Sequence, residues 1–268
     1  ALLEASRAAV SDLPDVVVGV APHSLRAATP EELAEILPLA QGGPIHIHIA
    51  EQTREVVDSL AWSGARPVDW LLDHAPVDQR WCLVHATHAT NAETDRLAAS
   101  GAVAGLCPIT EANLGDGLFP AKRFLAAGGR FGVGTDSNVL IDFAEELRLL
   151  EYGQRLTERK RNRLGVPERP SVGASLFVSA VQGGAQALGV AGGIAPGASA
   201  DILCLDADHP SLVGRAGDAL LDGFVFAAGA AAIERVWRAG VGVVRDGRHS
   251  RRPTVSSRYR RSLERLLA

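Results

Sequence analysis

The sequence predicts an α/β fold in which a parallel sheet is followed by a smaller unit of antiparallel strands. Between residues 16 and 136, short runs rich in Val and Ile alternate with amphipathic stretches of helical period, which is typical of repeated βαβ units. Beyond residue 190, apolar stretches are separated by Gly-containing turns, which is typical of antiparallel strands. The first pattern fits either a doubly wound sheet or part of a barrel.

Five strands are predicted in the first region, each followed by a helix. The strands are VVVGVAP (16–22), PIHIHIA (44–50), WCLVHAT (81–87), AVAGLCP (102–108) and RFGVGTD (130–136). The helices are expected at 29–40, 53–64, 90–101, 120–129 and 143–160. Thr29 is a suitable N-cap for the first helix, because Pro30 takes its first position and Glu32 follows three residues after the cap. Strands that alternate with helices in this way pair in parallel through right-handed crossovers.

The character of the chain changes near residue 190. The last helix of the first region is predicted at 174–189, and GGIAPGASADILCLD and IERVWRAGVGVVRDGRH then predict strands. RYRRSLERLL predicts a terminal helix. We therefore expect an α/β unit over 1–190, a β-rich unit over 191–250 and a C-terminal helix over 251–268.

Composition limits the classes of function. A hydrophobic fraction of 47% in 268 residues is enough for a large core. With 27 basic and 31 acidic residues, the chain has no basic field that attracts nucleic acid or an anionic membrane, so a small-molecule partner is expected. No apolar run reaches the roughly 20 residues of a membrane helix, and the first residues show no secretion signal, which favours the cytoplasm. The three cysteines lack CxxC spacing and are expected to be buried apolar residues.

Polar side chains stand at the ends of the predicted strands of the first region. In parallel α/β proteins, reacting groups gather at the edge where strands end and loops begin. A cluster of imidazoles and carboxylates suits zinc or a similar divalent metal, with one coordination position left for water. Each residue also has a structural alternative, such as a hydrogen-bonded core histidine or a helix N-cap. The residues at these ends are His23, His48, Glu51, His85, His88 and Asp136.

The stretch IHIHIAEQ (45–52) permits two interpretations. Residues two apart share one face of a strand, so His46 and His48 can form a chelating pair of metal ligands. Alternatively, His48 acts together with Glu51. Because Glu51 would face the other side of a continuous strand, this second interpretation requires the strand to end before it. The spacing alone leaves both interpretations open.

Three motifs at these strand ends resemble the deaminase branch of the amidohydrolase superfamily. They are HIAE (48–51), VHATH (84–88) and GTDS (134–137). The resemblance implies that the chain is the C-terminal part, strands four to eight, of a metal-dependent (β/α)8 TIM barrel. It also implies that the strands after residue 190 form part of a small β-sandwich domain.

Within this branch, further motifs resemble the formimidoylglutamate deiminase family. They include APHSLRA, AWSGARPVDWLLDHAP, CPITEANLGDG and EELRLLEYGQRL. The resemblance implies hydrolytic deimination of N-formimino-L-glutamate to N-formyl-L-glutamate and ammonia, a reaction of histidine degradation. It implies one Zn²⁺ per active site, or another divalent metal, a small-molecule substrate and a possible homodimer.

The resemblance also assigns roles to individual residues. His48 and Asp136 correspond to metal ligands, Glu51 corresponds to the proton-transferring residue, and His85 and Asp136 are catalytic with it. Arg26 corresponds to a residue that binds a substrate carboxylate, which suits the bidentate geometry of a guanidinium group. The implied substrate-binding residues are Arg26 and His23.

The sequence departs from the family pattern at its start. The family's first strand ends in an HxH metal pair, and no such pair precedes Val16. Too few strands lie between IHIHI and Asp136 for IHIHI to be that first strand, so His46 is expected to be a wall residue. The sequence also contains no Met. We therefore expect the chain to be the C-terminal part of an enzyme and to be inactive by itself. Glu111 and Asn113 are expected either to shape the pocket or to cap a turn.

Two alternatives remain open from the residues alone. The first is a purine or pyrimidine aminohydrolase similar to guanine deaminase, although an aromatic content of only 5% disfavours base stacking. The second is a catalytically dead barrel that serves as a binding module.

Overall fold

Two four-stranded sheets organise the chain in the computed structural model, which describes residues 2–13, 16–166 and 168–268. The first sheet is parallel, with its strands in chain order: β1 (Ile45–Ile49), β2 (Trp81–His85), β3 (Val103–Leu106) and β4 (Arg130–Val133). The second is antiparallel and also in chain order: β5 (Ile202–Leu205), β6 (Ile233–Arg238), β7 (Val241–Arg245) and β8 (Arg248–His249). Ala1, Pro14, Asp15 and Pro167 belong to the expected unit 1–190 and lie outside the described residues.

Helices connect the strands of the first sheet and continue beyond it. They are α1 (Leu2–Ala9), α2 (Pro30–Ile36), α3 (Thr53–Ser63), α4 (Pro67–His74), α5 (Asn91–Ser100), α6 (Pro108–Leu114), α7 (Ala121–Ala126), α8 (Phe143–Glu158), α9 (Val172–Leu188), α10 (Asp218–Gly223) and α11 (Arg252–Leu267). A 3₁₀ turn extends α2 over Leu37–Ala40. The expected capping box of α2 is present, since the Glu32 amide donates to the Thr29 hydroxyl and the Thr29 amide donates to the Glu32 carboxylate.

The prediction of a regular strand at 16–22 is wrong. The segment runs parallel to β1 but forms only isolated bridges, from Val20 to Ile45 and from Ser24 to His48. Pro22 has no N–H to donate to a ladder, which accounts for the interruption between the two bridges. The segment nevertheless passes beside β1 and carries His23 to the end of that strand.

The parallel sheet is buried by helices on the side of its isoleucines. Ile45, Ile47 and Ile49 of β1 lie in one apolar cluster with Val56 of α3 and Leu71 of α4. All five side chains are buried. Because residues of a strand alternate between faces, the two histidines of β1 lie on the other face.

The last turn of α9 lies at the other end of the sheet from the histidine-bearing loops. The side-chain amide of Gln186 donates to the carbonyls of Gln79 and Gly101, each at 2.9 Å, just before β2 and β3. The ring Nε2 of His46 lies 2.7 Å from the carbonyl of Ala187. The ring of His46 is therefore hydrogen-bonded to the end of α9, at the amino-terminal side of the sheet.

The cysteines only partly match their expected burial. Cys82 and Cys107 are buried, and burial raises the pKa of the Cys82 thiol to about 12. Cys204 is exposed on β5, so its interpretation as a buried residue is wrong.

Among the described helices, none combines the length and the apolar character needed to cross a membrane.

Candidate active site

The position of Glu51 at the end of β1 is fixed by the buried carboxylate of Glu55, a residue that was not predicted from the sequence. Ala50 adopts a left-handed φ of 48°, which turns the chain out of the strand. The Ala50 and Glu51 amides donate to the two carboxylate oxygens of Glu55, at 2.8 and 3.0 Å. Glu55 is 3% exposed, so this turn is held from within α3. The strand therefore ends before Glu51, as the second interpretation of IHIHIAEQ requires.

The end of β2 places His85 in a fully buried position. His85 and Ala86 both have left-handed φ values, 69° and 49°. The ring Nδ1 lies 3.3 Å from Glu111 Oε1. An ionised carboxylate only accepts hydrogen bonds, so this contact puts a proton on Nδ1. The other nitrogen, Nε2, is buried and has no hydrogen-bond partner among the described residues.

The three predicted catalytic residues, Glu51, His85 and Asp136, lie close together, with the two carboxylates near His85 Nε2. His85 Nε2 lies 3.8 Å from Glu51 Oε1 and 3.8 Å from Asp136 Oδ2. One ligand atom from each of these three residues lies within 4.8 Å of the other two. Asp136 follows β4 and has a left-handed φ of 48°.

His48 borders this cluster and has a defined tautomer. Its Nδ1 lies 2.8 Å from the carbonyl of His23, which makes Nδ1 the donor and leaves a lone pair on Nε2. That Nε2 lies 4.0 Å from Asp136 Oδ1. The ring of His48 stacks on His85 with centroids 5.6 Å apart, and the centroid of the His23 ring lies 5.0 Å from that of His48.

The cluster fits a divalent metal ion by its donor chemistry. Two carboxylates and His85 Nε2, which has no hydrogen-bond partner within the described part of the chain, lie close together, and His48 Nε2 lies 4.0 Å from one of those carboxylates. Nitrogen and oxygen donors of this kind are the ligands that zinc takes in catalytic sites. Metal-binding histidines commonly fix their second nitrogen on a carbonyl or a carboxylate, and both His48 and His85 do so.

Electrostatics at His85 reflect the same crowding of acids. Burial by itself lowers the pKa of the imidazole, but the hydrogen bond to Glu111 and the charges of Glu111, Glu51 and Asp136 outweigh it. The pKa of His85 is therefore raised above its ordinary value. A site that stabilises positive charge on a buried ring is also suited to a bound cation.

The two predicted substrate-binding residues lie beside the cluster. One guanidinium nitrogen of Arg26 donates to Glu51 Oε2 at 3.0 Å, and its Nε lies 3.9 Å from Glu55 Oε2. The Arg26 side chain is 36% exposed, so part of the guanidinium group faces solvent. His23 Nδ1 contacts the hydroxyl of Ser24 at 2.9 Å.

The structure does not bring His46 to this cluster, because its ring is hydrogen-bonded to Ala187. Sequence reasoning missed Glu55, which accepts from the amides of Ala50 and Glu51, and Thr110, which binds the residues on either side of Asp136. The only available signal was weak: each is a polar residue in the first turn of a helix that follows a strand end. Glu111 was expected to shape the pocket or cap a turn, and it contacts His85. Asn113 is exposed.

Comparison with known proteins agrees with this geometry. The model of the amidohydrolase family matches residues 2–243. Formimidoylglutamate deiminase of Pseudomonas aeruginosa is 56% identical over 235 residues, which are 87% of this chain and 52% of that protein. The chain thus spans about half the length of that curated relative.

Two solved structures have the same fold. The amidohydrolase from Brucella melitensis is 50% identical with a TM-score of 0.95, over 100% of this chain and 59% of that one. An adenosine deaminase from Xanthomonas campestris, solved with bound zinc, is 25% identical with a TM-score of 0.87, over 98% of this chain and 60% of that one. The family match, the fold and the strand-end cluster agree, and the chain belongs to the amidohydrolase family.

Proposed function

We propose that this protein takes part in the metal-dependent hydrolysis of N-formimino-L-glutamate to N-formyl-L-glutamate and ammonia. The observation that carries the proposal is the convergence of Glu51, His85 and Asp136 at the strand ends, with Arg26 beside them. The 56% identity with the Pseudomonas formimidoylglutamate deiminase supports the choice of substrate. The net charge of −4 supports a small-molecule partner, and we extend the proposal to a cytoplasmic location.

We also propose an assignment of the architecture. Residues 1–190 would form part of a (β/α)8 barrel, 191–250 part of a β-sandwich and 251–268 a terminal helix. Four parallel strands in chain order with intervening helices support the first assignment. The antiparallel sheet β5–β8 and helix α11 support the other two.

His48 and Asp136 are the residues that would hold one zinc ion or another divalent metal. The single lone pair of His48 and the nearby carboxylate of Asp136 support this choice. When bound, such a metal would lower the pKa of a water molecule from far above neutrality to about 7. We assign Glu51 and His85, which face the same space, to the chemistry and not to the metal.

The residues of this chain then perform the remaining steps. Glu51 takes a proton from the attacking water as the new C–O bond forms at the formimino carbon. It delivers that proton to the imino nitrogen as the C=N double bond becomes a single bond. The remaining hydroxyl proton then passes through Glu51 to the same nitrogen as the C=O bond forms and the C–N bond breaks, and ammonia leaves. His85 Nε2 lies next to Glu51 and hydrogen-bonds the oxygen that attacks. Arg26 binds a carboxylate of the glutamyl group, and His23 lines the same side of the site.

The test of this function uses two proteins. One is the chain itself, and the other, called the joined protein below, is the chain fused to the part of the Pseudomonas enzyme that lies outside the matched region. We expect the joined protein to bind zinc and to release ammonia from N-formimino-L-glutamate. Release from adenosine or guanine, without release from N-formimino-L-glutamate, would instead support the purine aminohydrolase alternative. A folded joined protein that binds zinc and is inactive on all three would support a binding module.

Replacement of Arg26 by methionine is expected to raise KM for N-formimino-L-glutamate in the joined protein. Losing a charge-assisted partner of a carboxylate costs about 1.5 to 3 kcal/mol, or about ten- to hundredfold or more in kcat/KM. Arg54→Met is the matched control, since Arg54 pairs with Asp58 on the exposed face of α3. A fall in kcat with an unchanged KM would show that Arg26 serves Glu51 and not the substrate.

A further inference from the structure

We propose that the first turn of α6 positions two active-site residues at once: Glu111 orients His85 and Thr110 fixes the backbone around Asp136. Both are positioning residues, because each acts through another side chain or through backbone. The inference rests on the proposed function for the roles of His85 and Asp136. It assigns a purpose to the segment CPITE, which lies between β3 and the body of α6.

Glu111 connects the start of α6 to the imidazole of His85. Its Oε1 accepts from the amide of Cys107 at 2.9 Å and lies 3.3 Å from His85 Nδ1. Glu111 is 3% exposed, so no bulk water competes for this oxygen. One buried acceptor thus fixes the tautomer of His85 and aims its Nε2 at Glu51 and Asp136.

Thr110 connects the same turn to the loop after β4. Its hydroxyl donates to the carbonyl of Thr135 at 2.8 Å and accepts from the amide of Ser137 at 3.2 Å. It also contacts the hydroxyl of Ser137 at 2.7 Å. These partners are the residues on either side of Asp136, which has a left-handed φ of 48°. Thr110 therefore holds Asp136 in a backbone conformation that a non-glycine residue rarely adopts.

The turn is itself held from a second helix. The amide of Ile109 donates to Glu146 Oε2 of α8 at 2.8 Å, and Glu146 is 1% exposed. Glu146 therefore anchors the turn without reaching His85 or the Asp136 loop through any hydrogen bond of the described residues. This difference separates a residue that only stabilises the turn from the two that orient the site.

The experiment compares four variants of the 268-residue chain with this internal control. Glu111→Leu and Thr110→Val remove the acceptor and the hydroxyl at nearly constant volume, whereas Glu111→Gln and Thr110→Ser retain them. Glu146→Leu removes the acceptor that anchors the turn and no acceptor of His85 or of the Asp136 loop. For each variant, thermal unfolding is followed by circular dichroism. The ¹⁵N shifts of the His85 ring are measured at a pH where the ring is neutral, and the zinc Kd is measured by chelator competition.

We expect Glu111→Leu to bring the Nδ1 and Nε2 shifts of His85 together, because the proton is no longer confined to Nδ1. Thr110→Val should raise the zinc Kd about tenfold to a hundredfold, the usual effect of removing a residue that orients a ligand. Glu111→Gln and Thr110→Ser should resemble the parent in both readouts. Glu146→Leu should lower the unfolding temperature and change neither readout.

Three results would overturn the proposal. In the first, Glu111→Leu keeps the parent's His85 shifts and Thr110→Val keeps its zinc Kd. In the second, Glu146→Leu changes the His85 ring shifts as much as Glu111→Leu does, which gives the turn a structural role only. In the third, applicable even if the Leu and Val variants do not fold, Glu111→Gln loses the single tautomer. None of these readouts uses N-formimino-L-glutamate, so failure of the proposed substrate leaves this test intact.

Discussion

Replacing Glu51 by glutamine is expected to lower kcat of the joined protein by about 10²- to 10⁴-fold while leaving bound zinc unchanged. The amide keeps the size of the side chain and its hydrogen bond from Arg26. It cannot take the proton of the attacking water or return one to the leaving nitrogen. General acid–base catalysis is therefore lost, whereas the proposed ligands His48 and Asp136 stay in place.

Steady-state ammonia release and metal analysis of the same preparation check this expectation. Glu35→Gln on the exposed face of α2 is the matched control and should match the parent in both. Unchanged turnover in Glu51→Gln would remove Glu51 from the mechanism. Loss of zinc from that variant would move Glu51 into the ligand set, which its place within 4.8 Å of His85 and Asp136 permits.

Most residues of the candidate site were predicted from one rule, that reacting groups gather where parallel strands end. Applying this rule requires only local sequence patterns. Parallel strands that are read from their periodicity place their last residues at one edge whatever the details of packing. His48, Glu51, His85 and Asp136 all meet there in the structure. His46 shows the limit of this reasoning, since a contact with Ala187, 141 residues away, decides its place.

The geometry that makes the cluster possible was not readable from the sequence. Ala50, His85, Ala86 and Asp136 all have left-handed φ values, a region that favours glycine, and none of them is glycine. The conformation of Asp136 is held by tertiary hydrogen bonds from Thr110 to Thr135 and Ser137, which lie 25 and 27 residues away along the chain. Because such bonds join distant segments, spacing and propensity carry no signal for them.

Errors in the fold have similar causes. Periodicity predicted a strand at 16–22, but Pro22 interrupts its ladder. Helix α6 was not predicted between the strand at 102–108 and the helix at 120–129, because its seven residues are too few to show a helical period. The short helix α4 begins at Pro67, a favoured first position, and was overlooked for the same reason of length.

Replacing Gly183 by alanine is expected to destabilise the fold more than any other single methyl addition within α9. A Cβ at Gly183 would lie 2.0 Å from the carbonyl oxygen of Phe131 in β4 and 2.5 Å from its carbonyl carbon. These are backbone atoms of a buried strand, so no side-chain rotation can relieve the overlap. The helix must move away from β4, and overpacking of this kind costs about 1 to 3 kcal/mol, occasionally more.

Gly184→Ala is the matched control, since a Cβ at that neighbouring position meets nothing within 4 Å. Alanine is favoured over glycine in a helix interior by about 1 kcal/mol, so this variant should be neutral or more stable than the parent. With about 2 to 4 °C of Tm per kcal/mol for a chain of this size, Gly183→Ala should lower Tm by about 2 to 12 °C. Thermal unfolding by circular dichroism measures both. Equal Tm values for the two variants would mean that α9 does not lie against β4 at Gly183, and would leave His46 without its partner at the end of that helix.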